Sequence, residues 1–295
     1  MTMIFGVPLA VFIGQLMLGL INGAFYALLS LGLAVIFGLL KIVNFAHGAQ
    51  YMLGAVAALL GLQYLGINYW VALLLVPLVI GGLGALIERL ILRRIAHLDH
   101  LYGLLLTFGL ALIFEGVLVN FLGVSGSSYP IPASLQGGFQ LGFMFLPTYR
   151  GWVLVAALGV CLATWFIIER TRLGAYLRAG TENPALMQAF GVNVPQLITL
   201  TYGFGVALAA FAGVLAAPLY PVSPTMGSSL LIVVFAVVVI GGMGSILGAI
   251  VTGLGMGLIE GLTKVYYPEA ANTVIFLVMV VVLMLRPAGL FGKEA

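Results

Sequence analysis

The sequence predicts an all-α, polytopic membrane helix bundle with eight to ten transmembrane segments, some of them broken or re-entrant. Of its 295 residues, 63% are hydrophobic and 6% are charged, whereas soluble domains carry about 25% charged residues. So few charges cannot cover a water-facing surface. Long apolar runs alternate with short polar segments, and the 40 glycines favour close helix packing in lipid.

The first apolar run is too long for one perpendicular span. Residues 5–40 carry no charge, and a single helix of this length would measure about 54 Å. We therefore expect one span near 8–28 and a second element near 29–40. Further spans are expected near 48–66, 69–92, 103–122, 151–168 and 197–217.

A second overlong run covers residues 229–259. Because glycine pairs interrupt regular structure, we expect a break at Gly241-Gly242, with one segment on each side. The last span is expected near 272–286. No soluble domain fits between these runs, so residues 1–295 are predicted to form a single transmembrane domain.

Basic residues occur in three clusters that indicate the membrane topology. Lys and Arg are enriched in cytoplasmic loops. The clusters comprise Arg89, Arg93 and Arg94, then Arg170, Arg172 and Arg178, and finally Arg286 and Lys293. We expect all three in the cytoplasm, with both termini there and the uncharged segment 123–149 outside.

Composition and motifs argue against several functional classes. A net charge of +3 is too small to indicate nucleic-acid binding, and the single Cys161 cannot form a disulfide framework. The sequence contains no Walker-type phosphate loop, no HExxH and no GxSxG motif. We therefore predict that the chain is not an enzyme and binds neither a cofactor nor a metal.

The longest polar stretch covers residues 169–197. Thr181 is expected to cap a short helix, with Glu182 and Pro184 in its first turn. A small apolar face follows, formed by Ala185, Leu186, Ala189 and Phe190. Gly191 ends this helix. Two turns are not stable alone, so the segment is either an interfacial loop helix or a knob for a cytoplasmic partner.

Several longer blocks follow one another along nearly the whole chain. They read GLINGAFYALLSLGLAVIFGLLKIVNFAHGAQYMLGA (19–55), GLGALIERLILRR (82–94), AAFAGVLAAPLY (209–220), VVVIGGMGSILGAIVTGLGMGLIEG (237–261) and LRPAGLFGK (285–293). The cytoplasmic segment adds an E-x-x-A…G pattern, namely Glu182, Ala185, Ala189 and Gly191. Together these blocks resemble the LivH-type permease subunit of branched-chain amino acid ABC importers. The N-F-A-H-G and G-G-x-G-S-x-x-G blocks are the most specific.

The resemblance implies a permease subunit that translocates branched-chain or other hydrophobic amino acids across the inner membrane of a bacterium. An extracytoplasmic solute-binding protein would deliver the ligand, and a homologous second permease subunit would complete the membrane unit. Two cytoplasmic ATPase subunits would bind the ATP and dock on the coupling loop at about 169–197. Members of the wider family also serve urea and short-chain amides. A stand-alone secondary transporter that couples ions through Glu115 or His47 is the further alternative.

A polar cluster interrupts the apolar sequence at KIVNFAHGAQYMLG, residues 41–54. The cluster comprises Lys41, Asn44, His47 and Gln50. Metal binding needs several ligands close together, and His97 and His100 lie in a different loop. Two readings stay open, an internal hydrogen-bonded scaffold and a lining of the solute path. We expect Asn44 to cap the following helix, and Asn22 and Tyr26 to be partners of His47 and Gln50.

Two further intramembrane features are candidates. Gly241, Gly242, Gly244, Ser245 and Gly248 form a helix break whose small residues either permit close packing or bring helix ends to the solute path. Glu115 lies inside a span, where an unpaired carboxylate is expensive, so we expect it to face the bundle or to be neutral. Glu260 and Lys264 are expected to form an i,i+4 ion pair.

Overall fold

The computed structural model describes residues 3–4, 6–40, 43–142 and 144–292, and it is almost entirely helical. The first half contains α1 (Leu9–Leu40), α2 (His47–Leu65), α3 (Tyr69–Ile87), α4 (Arg93–Ile95) and α5 (His100–Leu122). The second half contains α6 (Thr148–Arg170), α7 (Arg172–Glu182), α8 (Pro184–Ala189), α9 (Val194–Ala216), α10 (Met226–Gly241), α11 (Ile246–Tyr266) and α12 (Val274–Leu285). Lys41 and Lys293, named above, lie outside the described residues.

Strands are short and lie outside the helices. β1 (Met3–Ile4) pairs antiparallel with β2 (Val7–Pro8), and β3 (Gly138–Gln140) pairs antiparallel with β4 (Phe145–Pro147). The second hairpin falls within the uncharged segment that was expected outside the membrane.

Among the described residues, six helices are long and apolar enough to cross a membrane, and two more apolar helices are shorter. The six are α1, α3 with its continuation to Ile95, α5, α6, α9 and α11. The shorter pair is α10 and α12. The expected polytopic helical bundle is confirmed, and so is the break after Gly241, because α10 ends there and α11 begins at Ile246.

The expected division of the first run into 8–28 and 29–40 is wrong. α1 runs without interruption for 32 residues. No proline or glycine pair lies near the proposed boundary, so nothing in the local sequence stops the helix. A helix longer than the hydrocarbon thickness is accommodated by tilting.

The described chain divides into two compact units. One unit comprises Leu31–Pro130 and Leu162–Ile232, and the other comprises Met1–Ser30, Ile131–Cys161 and Val233–Ala295. The expectation of one domain over 1–295 therefore stays a prediction.

In the first of these units, α9 packs closely against α2 and α3. A methyl group built on Gly213 would lie 2.0 Å from the backbone oxygen of Tyr51, and one on Gly54 would lie 2.3 Å from that of Ala210. Side chains are absent where the backbones meet, so the helices approach as the small-residue pattern predicts.

In the second unit, α11 packs against the first part of α1. A methyl group on Gly257 would lie 2.3 Å from the backbone oxygen of Gly19. An apolar cluster also joins α10, α11 and α12, with Ala236, Val237, Ile240, Met256 and Ile275 at its buried centre.

Candidate functional site

The polar stretch 169–197 contains two short helices, α7 and α8, rather than one. α7 continues through Thr181, whose hydroxyl donates to the backbone oxygen of Arg178 at 2.8 Å. Thr181 is therefore not a helix cap, and that expectation is wrong. The cap is Asn183, whose Oδ1 accepts a hydrogen bond from the backbone N–H of Leu186 at 3.0 Å. Because a residue before proline avoids helical angles, Pro184 places the boundary at Asn183.

The apolar face of α8 points outward. Leu186 is 52% exposed and Phe190 is 75% exposed. Ala185 and Ala189 are exposed as well, whereas Met187 is buried and anchors the helix. Gly191 ends the segment with a φ of +83°, as expected. Two turns of helix thus present uncovered apolar side chains in the most polar part of the chain.

A buried carboxylate lies close to this segment, and sequence reasoning missed its role. The position of Glu88 beside Arg89 indicates only a topology anchor, but its side chain pairs with Arg93, with Nη2 3.1 Å from Oε2 and Nε 3.3 Å from Oε1. The hydroxyl of Thr199 donates to Glu88 Oε2 at 2.6 Å. Arg93 Nη2 also donates to the backbone oxygen of Pro195 at 2.6 Å and contacts Thr199. The cluster of Glu88, Arg93 and Thr199 joins the end of α3 to the first turns of α9.

The backbone explains why Glu88 reaches Arg93. Residues Glu88–Leu92 form a π-helical turn between α3 and α4. A π turn closes on the fifth residue, so side chains five positions apart come together. The i,i+5 spacing was visible in the sequence, but an α-helical reading does not bring these two residues together.

A partly open pocket of about 340 Å³ lies between this cluster and helices α7 and α8. Glu88 and Arg93 lie on one side, and Gly180, Thr181 and Gln188 lie on the other. Apolar side chains cover most of the remaining wall. The expected coupling residue Thr181 therefore faces the same space as the buried ion pair.

The polar cluster at the start of α2 is a hydrogen-bonded chain. Asn44 Nδ2 donates to Gln50 Oε1 at 2.9 Å, and Gln50 Nε2 donates to the hydroxyl of Tyr202 on α9 at 3.5 Å. Asn44 Oδ1 accepts from the backbone N–H of Ala46 at 3.1 Å. A side chain that accepts from the backbone two residues further on forms an Asx turn. This turn precedes the helix, since the N-cap position of α2 is Ala46. Asn44 therefore does not cap α2 directly, and that expectation is wrong.

His47 lies inside the same cluster and is 1% exposed. A methyl group built on Gly32 would lie 2.9 Å from His47 Cε1, so the imidazole packs tightly on the α1 backbone. The preceding loop is fixed to α5, because the backbone N–H of Phe45 donates to the hydroxyl of Thr107 at 3.1 Å. These contacts support the scaffold reading of residues 44–50.

Two polar residues of α1, Asn22 and Tyr26, were expected to contact His47 and Gln50. Tyr26 donates its hydroxyl to Glu260 Oε2 at 2.7 Å, and Lys264 also binds this carboxylate. Tyr26 therefore belongs with α11, and its expected pairing with the residue 44–50 cluster is not the contact observed. Asn22, one turn earlier, is partly buried. The predicted ion pair between Glu260 and Lys264 is confirmed.

Glu115 lies on α5 and is partly buried. Only 6% of the membrane-spanning window of α5 is buried within this chain, the lowest share among the candidate spans. Glu115 and Thr107 are eight positions apart, so they lie on one side of the helix. That Glu115 faces the bundle or is neutral stays a prediction.

At the glycine break, backbone groups at the ends of α10 and α11 form hydrogen bonds within the protein. The backbone N–H groups of Leu290 and Phe291 donate to the oxygens of Ile240 and Gly241 at 2.8 Å and 3.1 Å. Ser245 caps α11, its hydroxyl accepting from the N–H of Gly248 at 3.0 Å. Gly242 and Gly244 have φ of +97° and +87°. The C-terminal segment thus supplies hydrogen-bond donors to two carbonyl groups at the end of α10.

The described residues contain no group of three or more His, Cys, Asp or Glu side chains that could hold a metal ion. The structure brings together Asn44 and Gln50 with His47, and it brings Thr181 near Glu88. The glycine break and Tyr26 belong to the other compact unit.

Known proteins with similar sequences cover almost the whole chain. Residues 15–283 match the family model described as "Branched-chain amino acid transport system / permease component". The chain is 30% identical to the high-affinity branched-chain amino acid transport system permease protein BraD of Pseudomonas aeruginosa, and the match covers 96% of each protein. It is 29% identical to the corresponding permease protein LivH of Escherichia coli K12, again over 96% of each.

One solved structure is similar in fold, PsaBC from Streptococcus pneumoniae in complex with Fab. The TM-score is 0.50 at 15% sequence identity, and the match covers 94% of this chain and 95% of that chain. At this identity the likeness concerns the fold alone. The family match, which extends over most of the sequence, shows that this chain belongs to the family of branched-chain amino acid transport system permease components.

Proposed function

We propose that this chain is the membrane-spanning permease subunit of an ATP-driven importer for branched-chain or other hydrophobic amino acids. Its relatives are permease components of branched-chain amino acid transport systems. The observation that carries the coupling assignment is the outward apolar face of α8, with Leu186 and Phe190 largely exposed. An amphipathic helix of this kind binds by placing its apolar side chains in a groove of a partner.

The partner at α8 is a cytoplasmic ATPase subunit. ATP is bound by a pair of these subunits, while this permease supplies no ATPase site of its own. A homologous second permease subunit completes the membrane unit, and an extracytoplasmic binding protein delivers the amino acid. The low burial of α5 within this chain leaves a membrane-spanning surface for such a neighbour or for lipid.

Helices α7 and α8 would transmit the conformational change of the ATPase subunits to the membrane-spanning helices. α8 is joined to α7 at Asn183, and buried Gly180 of α7 approaches α9, because a methyl group built on Gly180 would lie 3.5 Å from Leu197 Cδ2. When the ATPase pair closes on ATP, α8 is displaced and α7 presses on the start of α9. Coupled movement of packed helices is one of the established ways in which such changes cross a protein.

The topology that we propose rests on the basic clusters, which we assign to the cytoplasm. Two candidate spans, α1 and α3, precede the first basic cluster, and this even number places the N-terminus in the cytoplasm. Four apolar helices, α9 to α12, separate the second basic cluster from the C-terminus, which is then cytoplasmic as well.

Uptake into vesicles tests the proposed function. The complete importer, reconstituted with its binding protein and with ATP on the ATPase side, should accumulate labelled leucine. Urea and acetamide at the same concentration test the alternative substrates. The permease alone, under a proton or sodium gradient, should accumulate none of them. Gradient-driven uptake by this chain alone would instead establish a secondary transporter.

A further inference from the structure

The buried carboxylate of Glu88 is held by groups from two different parts of the chain. Its side chain is 3% exposed, while that of Arg93 is 36% exposed. Arg93 follows the π turn, whereas Thr199 and Pro195 belong to the first turns of α9. Removing one partner of a buried pair leaves an uncompensated charge, so the contact strongly favours one arrangement of these helices.

We propose that Glu88, Arg93 and Thr199 form a latch that transmits the movement of the cytoplasmic helices to α3 and α9 during transport. This inference rests on the proposed function. Glu88 and Arg93 are positioning residues, because they act through the helices that they join and do not touch the solute. The latch is closed in this structure and opens when α7 and α8 are displaced.

The π turn at Glu88–Leu92 is the element that we propose to change register when the latch opens. Glu88 meets Arg93 only while the fifth-residue register is kept. Conversion of this turn to regular α-helix rotates the two side chains apart and shifts α4 relative to α3. An element with two discrete registers is what a coupling route between two sites requires.

The adjacent cavity gives the cytoplasmic helices room to move. A partly open pocket of about 340 Å³ lies between the latch and helices α7 and α8. Gly180 and Gln188 line its far wall. An inward displacement of α7 and α8 therefore fills existing space and reaches the Arg93 side chain without repacking the core.

A second ion pair in the same chain provides a matched comparison. Glu260 and Lys264 have side-chain exposures of 5% and 37%, close to those of Glu88 and Arg93. Glu260 also accepts a hydrogen bond from a hydroxyl group, that of Tyr26 at 2.7 Å. This pair lies four residues apart on regular helix α11. It shares the burial and chemistry of the latch without the π turn and without the cytoplasmic helices.

The test measures the number of amino acid molecules transported per ATP hydrolysed in the complete reconstituted importer. The variants are Glu88→Gln, Arg93→Lys and Thr199→Val, with Glu260→Gln and Lys264→Arg as the matched controls. We expect each latch variant to lower this ratio about tenfold while ATP hydrolysis continues, a typical size for coupling between sites. The controls should keep the ratio of the unmodified importer, whatever their effect on the overall rate.

Three results would overturn the latch. The ratio could stay unchanged in all latch variants, transport and hydrolysis could fall in parallel, or Glu260→Gln could lower the ratio as much as Glu88→Gln. Should Glu88→Gln fail to assemble, Thr199→Val keeps both charges and serves as the deciding variant. A failure of the proposed function looks different, because the unmodified importer would then show no ATP-driven uptake at all.

Discussion

Met187 and Phe190 lie three positions apart in the same short segment, yet Met187 is buried and Phe190 is 75% exposed. One side of α8 is thus anchored to the permease, and the other is left without cover. Grouped apolar side chains that stay exposed mark a surface that contacts another protein or the membrane.

Replacing Ala189 with Arg should separate the ATPase subunits from the permease. The small side chain is exposed beside Phe190, so a long cation would block close approach while the fold of the permease is unaffected. We expect about a tenfold loss or more in co-purified ATPase, as for the disruption of a central interface contact. Gln196→Arg places the same side chain at an exposed position outside α8. Equal ATPase recovery from both variants would show that α8 is not the docking site.

Replacing His47 with Asn should lower stability more than it alters substrate preference. His47 is buried and packed on Gly32, so a smaller amide leaves space and a changed hydrogen-bonding pattern. We expect a loss of about 1–3 kcal/mol, seen as a lower melting temperature in detergent. A changed order of preference among leucine, isoleucine and valine with unchanged melting would instead place His47 in the solute path.

Replacing Gly213 with Ala should disturb the packing of α9 against α2. The added methyl group would lie 2.0 Å from the backbone oxygen of Tyr51, so a helix must shift. Overpacking of this kind destabilises by about 1–3 kcal/mol. Gly109→Ala on α5 is the control, because a methyl group built there meets nothing within 4 Å. Equal melting temperatures for Gly213→Ala and Gly109→Ala would contradict the close packing of α2 and α9.

Replacing Gly242 with Ala should destabilise the break between α10 and α11. Its φ of +97° is unfavourable for alanine, and the methyl group would lie 2.4 Å from the backbone nitrogen of Gly292. The strain alone is worth about 1–3 kcal/mol. Gly255→Ala, where nothing lies within 4 Å, should be tolerated. Limited proteolysis of the C-terminal segment reports the change, and equal protection in both variants would contradict the tight contact.

Local patterns in the sequence predicted most of the elements. The span positions, the break after Gly241, the end of α8 at Gly191 and the pairing of Glu260 with Lys264 all depend on neighbouring residues. The capping error was also local, since Pro184 already disfavours helical angles at Asn183. Thr181 looked like a cap because the preceding helix α7 was not recognised.

Contacts between segments that are distant in the sequence could not be predicted from local sequence patterns. Thr199 lies 111 positions from Glu88, and Tyr202 lies 152 positions from Gln50. No periodicity within one span indicates which other span it faces. The continuity of α1 was missed for a different reason, because a fixed bilayer thickness was assumed where a tilted helix can be longer.

Cross-linking between α8 and the ATPase tests the central proposal most directly. Cys161 is the single cysteine, so Cys161→Ala gives a background in which Leu186→Cys supplies one exposed thiol. In the complete importer, a cross-linker anchored at this thiol should join the permease to the ATPase subunit, with a yield that changes when ATP is added. Gln196→Cys in the same background should give little product. A Leu186→Cys permease that forms no ATPase adduct, although the complex transports amino acid, would show that α8 does not couple ATP to transport.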